Sequence, residues 1–410
     1  MTAGREPVDT VSEIGHAEAA AQAAWLRPVL PPEFRSVFDI AFIRSHLLYD
    51  EFVHRLAVQV VRESGVERVV REPATVEEIT DRAKLDPAAA ALVPLDWMLR
   101  FLAARGVLQH IAGERGDRYG LRGPLPALDP AAVRDEQLRH DPSWKPAYVL
   151  AETVARDYPA FLRGEVSGEE VLFAPRRLRL WIDYFSNDNG LYAVNNAVGA
   201  AAVEQWLPRL PATLLEVGGG LGSGALALLD RLGGMGRLGA IAEYRFTEFV
   251  PAFLRRGEQT IRARHPALSA VTFAPLDMNR SFPEQGVAPG SVSVVFAVNT
   301  LHVARDLGFT LGEVRRALEP GGRLVVSECV RPRPRHPIYP DFVFNLMETF
   351  RSPRLHPRYR PGGGFLTPEQ WQAAMEAAGF VDVRVLPDVA TIRRRVPDFL
   401  VAAIGATSPG

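Results

Sequence analysis

A single cysteine, Cys329, stands in 410 residues. One thiol cannot close an intramolecular disulfide, so a reducing, cytoplasmic compartment is expected. Lysine is nearly absent too: Lys84 and Lys145 are the two among 47 basic residues, a coding bias without functional meaning. The formal net charge of −1 leaves no field to gather nucleic acid or an anionic membrane, and neither is expected as a partner. No apolar run reaches the ~20 residues of a spanning helix. Met1–Gly15 lacks the charged-then-apolar order of an export signal. Cys-x-x-Cys pairs, zinc-ligand spacings and a serine elbow are also missing, so no metal is expected.

What is present suggests two domains, the usual outcome for a chain of this length. A polar tail covers 1–33, with an Ala-rich helical stretch from His16 to Trp25 and a joint at Pro28, Pro31 and Pro32. From Phe38 to Val61 the apolar spacing is helical, and Gly65 marks an end. Thr75 followed by Glu78 reads as a helix start, since each side chain can satisfy a free amide of the first turn. A third helix carries Val93, Leu95, Met98, Leu99 and Leu102, and two short runs, 107–111 and 117–121, flank a Gly-bearing turn. Three helices and a hairpin predict a winged helix over 34–125. Residues 51–122 hold eleven basic and eleven acidic side chains. Lacking a basic stripe, the module reads as a packing or homodimerisation element rather than a DNA reader.

Residues 126–205 form a helical linker containing Tyr184, Phe185, Tyr192, Asn195 and Asn196. These either pack on a core or wall a substrate pocket. Over 206–410 apolar strands alternate with helices: Leu214–Val217, Ala242–Thr247, Val271–Phe273, Val292–Val298, Arg323–Ser327, Val381–Leu386 and Phe399–Ile404. That alternation predicts a doubly wound α/β domain.

The strongest local signal is Leu214-Leu215-Glu216-Val217-Gly218-Gly219-Gly220-Leu221-Gly222, between a strand and a helix. Glycines permit a tight turn and a close ligand. A Gly-rich loop alone also serves dinucleotides. Glu216 tilts the choice, because a carboxylate repels a pyrophosphate and attracts the amino group and sulfonium of S-adenosylmethionine. Glu248, followed by Phe249, ends the next strand and can accept from ribose hydroxyls. Asp277 and Met278 follow the third strand, placed for an adenine.

These residues resemble the class I S-adenosylmethionine-dependent methyltransferases. From Phe34 onward the chain is similar to the two-domain O-methyltransferases of secondary metabolism, with a winged-helix dimerisation domain and a Rossmann-like catalytic domain. The resemblance implies a seven-stranded sheet of order 3-2-1-4-5-7-6 whose last strand runs antiparallel. It also implies S-adenosylmethionine as cofactor, bound by Glu216, Gly218, Gly220, Gly222, Glu248, Phe249, Asp277, Met278 and Asn299. His302, in Asn299-Thr300-Leu301-His302, matches the family's catalytic histidine. Glu328 is similar to the glutamate flanking it, and Glu348 is a looser match to a second one. The family histidine is usually followed by Asp-Trp; Val303 and Ala304 stand here. Segments 246–254 and 299–307 look more like polyketide-synthase C-methyltransferase domains.

The expected function is O-methylation of a hydroxylated natural-product molecule, with His302 as general base and Tyr184, Phe185, Tyr192 and Asn195 lining the substrate. The alternative is C-methylation of an activated carbon on a polyketide-like or carrier-bound chain. A non-methylating S-adenosylmethionine-binding protein and a winged-helix regulator are the other classes. His356, among Arg354, Arg358 and Arg360, is a rival base, and that basic group can serve an acidic substrate or the phosphopantetheine of an acyl carrier protein.

Overall fold

The computed structural model describes residues 11–410 except 14, 115 and 208–210; the first ten residues of the expected tail lie outside it. Contacts divide the chain into two compact units. One gathers 38–171 and 339–343 with the chain before Pro28, and the other gathers 29–37, 172–338 and 344–410. The expected linker 126–205 is thus shared between the units, parting at Leu172. Among the described residues no helix is long and apolar enough to cross a membrane.

The first unit is built around the helix Ile40–Glu63, whose start is fixed by the Asp39 side chain accepting from Phe42 N at 2.8 Å. Its apolar stripe, including Leu48, Phe52, Val53, Leu56 and Val60, is buried. The helix closes at Ser64, followed by Gly65 at φ +79°. Both halves of the Thr75/Glu78 capping box form ahead of the helix Val76–Arg82. The helix Ala89–Ala104 follows, then a hairpin of β1 (Leu108–Ile111) and β2 (Arg118–Leu121). Ala74 bridges to Tyr119 beside β2, completing a winged-helix arrangement. The helix His16–Val29 carries Pro28 in its last turn, so the expected proline joint begins after it. Helices Pro130–His140 and Lys145–Leu162 pack in the same unit, where Arg44 pairs with Glu136 at 2.5 Å, both buried.

The second unit holds β3 (Ala212–Glu216), β4 (Ile241–Thr247), β5 (Val271–Ala274), β6 (Val292–Val298), β7 (Leu318–Cys329), β8 (Val381–Leu386) and β9 (Val401–Thr407). Their order is β5-β4-β3-β6-β7-β9-β8. Pairing is parallel from β5 to β7, and β9 is antiparallel to both neighbours. This is the expected 3-2-1-4-5-7-6 Rossmann-like sheet. The order reverses between β3 and β6, so a crevice opens at their C-terminal ends, where open α/β sheets bind ligands.

β3, β4 and β5 differ from the sequence reading by one or two residues at their ends, and β7 and β9 differ more. β7 begins at Leu318 rather than Arg323, because Leu318 pairs with Val292 across a register shift despite the intervening Pro320-Gly321-Gly322. β9 starts at Val401 and continues to Thr407 through Gly405 and Ala406. Small residues carry little strand signal, but a β-carbon at Gly405 would run into the Trp206 ring, which lies on that strand.

Replacing Thr75 by alanine removes one half of the capping box. The expected cost is about 1 kcal/mol, read as a lower urea midpoint at unchanged slope. An unaltered midpoint would show the cap to be idle.

Candidate functional site

The chain leaves β3 at Glu216 and turns sharply. Val217 N donates to Phe296 O at 2.9 Å and Gly219 N to Thr247 O at 2.8 Å, tying the turn to β6 and β4. Gly218, Gly220 and Gly222 have φ of +66°, +57° and +91°, which side-chain-bearing residues rarely adopt. A β-carbon at Gly218 would strike Thr300, so the loops after β3 and β6 touch there. A β-carbon at Gly220 would meet nothing within 4 Å. The backbone is open on that side to an approaching ligand.

Two carboxyl groups flank this turn. Glu216 is 1% exposed and accepts from the Tyr244 hydroxyl at 2.9 Å. Burial pushes its carboxyl up to about 8; the Tyr244 bond opposes the shift and the charge of Glu248 adds to it. Glu248, buried at the C-terminal end of β4, accepts from Gly220 N at 2.9 Å and Val250 N at 2.7 Å. Burial raises it as well, against those amide bonds. Neither has a basic partner among the described residues. A neutralised buried acid without a cation, beside an open glycine turn, fits a ligand that brings its own positive charge. S-adenosylmethionine meets that requirement through its amino group and supplies an electrophilic methyl on a positive sulfur.

The other expected cofactor residues are placed less uniformly. Asp277 is half-buried after β5 and accepts from Asn279 N at 2.9 Å. Met278 is half-buried, with its carbonyl receiving the Thr310 hydroxyl at 2.9 Å. Phe249 is 63% exposed next to Glu248. Asn299 has φ +47°, and its side-chain oxygen receives Cys329 N at 2.8 Å. That contact clamps the exit of β6 to β7.

His302 follows that exit in the short turn Leu301–Val303. Its Nδ1 lies 2.7 Å from Glu328 Oε2 on β7. Glu328 is fully buried, and its other oxygen accepts from Thr300 N at 3.2 Å and His302 N at 3.4 Å. A carboxylate receiving Nδ1–H fixes the tautomer and leaves Nε2 with its lone pair. Phe365 and Phe350 pack on the imidazole, with centroids at 4.4 and 5.8 Å. Arg360 is buried and donates to Ala304 O at 2.9 Å and to His302 O; burial pushes its guanidinium down to about 10. Glu348 opens the turn Glu348–Arg351 and is exposed. His356 stacks on Tyr359 at 3.8 Å, with Nδ1 facing Arg358 N.

Phe344 joins these groups to the expected substrate residues. It lies 5.9 Å from Phe350 and 6.1 Å from Phe365 on one side, and 6.2 Å from Tyr184 on the other. Tyr184 leads to Phe185 at 5.3 Å and Tyr192 at 5.9 Å. Burial and the charges of Glu216, Glu248 and Glu328 all raise the Tyr192 phenol, so it feels both ends of the crevice. Asn195 is buried one turn on. Its carbonyl accepts from Ser327 Oγ at 2.7 Å, and its amide oxygen has no partner among the described residues. Sequence reasoning missed Phe344, Phe350 and Phe365, and grouped Arg360 with Arg354 and Arg358 around His356. None carries a local signal.

A profile of the methyltransferase domain matches residues 215–324. The span runs from the glycine turn through Glu248, Asp277 and His302 to β7. The chain therefore carries a methyltransferase domain. Over 243 residues the methyltransferase is 33% identical to highly reducing polyketide synthase 2 of Gibberella zeae, a match covering 57% of this chain and 9% of that one. The chain spans about a tenth of the length of the curated relatives it matches. Its fold is like that of the CurJ carbon methyltransferase, with a TM-score of 0.72 at 22% identity over 98% of this chain and 99% of that one. It is equally like the citrinin polyketide synthase CMeT domain, at 0.72 and 17% identity over 96% and 97%.

Because the Glu216 value rises from 4.5 to about 8, its contribution to ligand-free stability is full below pH 4.5 and is lost as pH rises through 8. A cationic ligand reverses the preference by drawing off the proton. Affinity for S-adenosylhomocysteine should therefore climb between pH 6 and 8, by up to about tenfold per unit. Glu216→Gln should bind weakly with a flat profile. Calorimetry across that range checks both, and a wild-type affinity indifferent to pH would remove Glu216 from the amine site.

Proposed function

We propose that this methyltransferase methylates an activated carbon of a polyketide-type acyl chain, held as a thioester on a carrier protein. The observation that carries the reading is the His302–Glu328 pair inside an aromatic wall, in a chain whose relatives are polyketide synthases. The same relatives favour carbon over the oxygen acceptor that the two-domain resemblance first implies.

The chemistry asked of the residues is modest. A carbon between a ketone and a thioester holds its proton weakly enough for a positioned imidazole to remove it. Nε2 of His302 takes the proton and the C–H electron pair stays behind as an enolate. Glu328 answers the imidazolium charge, and Arg360 holds the loop through the His302 and Ala304 carbonyls. S-adenosylmethionine, held at the glycine turn, would supply the methyl for the enolate carbon and would keep the electron pair of its C–S bond on sulfur. Phe344, Phe350 and Phe365 exclude water, which would otherwise return a proton to the enolate. Tyr184, Phe185, Tyr192 and Asn195 are assigned to the wall that receives the acyl chain.

A β-ketoacyl N-acetylcysteamine thioester and isotopically labelled methyl donor test this. Label should appear in a base-stable methyl on the carbon between the two carbonyls. His302→Ala should lower kcat at least about 100-fold while keeping S-adenosylhomocysteine binding. Glu328→Gln should fall between the two. Label in a methyl ether, or full turnover by His302→Ala, would overturn the assignment.

A further inference from the structure

Beside the loop that carries His302 lies a groove of about 330 Å³, lined by Asn279, Arg305, Asp306, Phe309 and Arg354. None of these residues belongs to the glycine turn or the aromatic wall, though Asn279 joins the groove to the expected adenine side by donating to Asp277 Oδ1 through N at 2.9 Å and Nδ2 at 3.2 Å. The charges of the groove are unequal. Asp306 is committed twice, to Arg354 Nη1 at 2.7 Å and, as helix cap, to Phe309 N at 3.1 Å. Arg305 has no ion-pair partner among the described residues, and its side chain is exposed. Two guanidinium groups against one carboxylate leave a net positive groove at the start of the helix Leu307–Ala317, whose unpaired amides add to the same sign. Phe309, 42% exposed, gives the groove an apolar side.

The groove is also tied to the base. Arg305 is three residues beyond His302, a reach of about 10 Å at most. Arg354 N donates to Arg305 O at 2.7 Å, and Arg360 holds the carbonyls of His302 and Ala304. One short loop therefore presents a proton acceptor at one end and an anion-ready cation at the other.

We infer that this groove receives the phosphate of the carrier's phosphopantetheine arm, with Arg305 and Arg354 on the phosphate oxygens and Phe309 against the dimethyl carbon next to it. The inference rests on the carrier-bound reading above and adds where the arm is gripped. A phosphodiester joined to a short apolar branch and then a thin amide chain has the charge and shape this groove lacks. Guanidinium groups suit such oxygens because their paired N–H donors match phosphate geometry.

The test compares one β-ketoacyl group on three handles: the phosphopantetheinylated carrier, coenzyme A, and N-acetylcysteamine, which has no phosphate. For Arg305→Ala and the Arg305→Ala/Arg354→Ala double variant, KM for the carrier substrate should rise about tenfold or more, with kcat nearly kept. The N-acetylcysteamine thioester should be methylated as by wild type, which also shows that the variants fold. Equal losses with and without phosphate would overturn the inference, as would an unchanged carrier KM. A loss confined to the coenzyme A thioester would overturn the commitment to a carrier. Wild type that methylates none of the three at carbon would instead sink the substrate reading on which the inference rests.

Discussion

Glu328 has no surface in contact with water, so its charge must be answered inside the protein. Three donors answer it: the His302 imidazole and the amides of Thr300 and His302. The rest of the site follows from meeting that demand. β7 must carry Glu328 beside the exit of β6, the β6 exit must turn tightly enough to bring His302 back over it, and Asn299 must take a left-handed conformation to make the turn. The glycine turn after β3 then packs against Thr300. The glycine turn and His302 are thus neighbours because two parallel strands, β3 and β6, leave the sheet at its switch point.

Charge is distributed along this crevice with a purpose at each end. Glu216 and Glu248 lack basic partners among the described residues and are raised by burial, so a cationic ligand gains more from them than it would from solvated acids. Glu328 is already saturated by donors and is therefore suited to orient an imidazole rather than to bind a ligand. One arginine, Arg360, is spent on backbone carbonyls, and another, Arg354, on Asp306. Arg305 has no ion-pair partner among the described residues.

Much of this was legible in the sequence, and the rest was hidden for a physical reason. β6 and β8 have the boundaries their apolar runs predict. Acids at consecutive strand ends, Glu216, Glu248 and Asp277, pointed to the crevice because a sheet aligns strand ends. Residues brought together only by tertiary packing gave no sign. Phe344, Phe350 and Phe365 come from separated stretches and look like ordinary core. Arg360 reads in sequence like Arg354 and Arg358, yet only Arg360 is buried. Glu348 was matched by local pattern, but its turn leaves it exposed and offers Phe350 to the imidazole instead. His356 has a phenol ring and an amide beside it where His302 has a carboxylate.

The proton removal proposed for His302 can be watched apart from methyl transfer. In deuterated water, with S-adenosylhomocysteine in place of the methyl donor, a β-ketoacyl thioester should exchange its carbon-bound proton for deuterium faster with wild-type protein than with His302→Ala. Mass spectrometry reads the exchange directly. Equal rates for the two proteins, at or near the rate in buffer alone, would contradict the account at its centre.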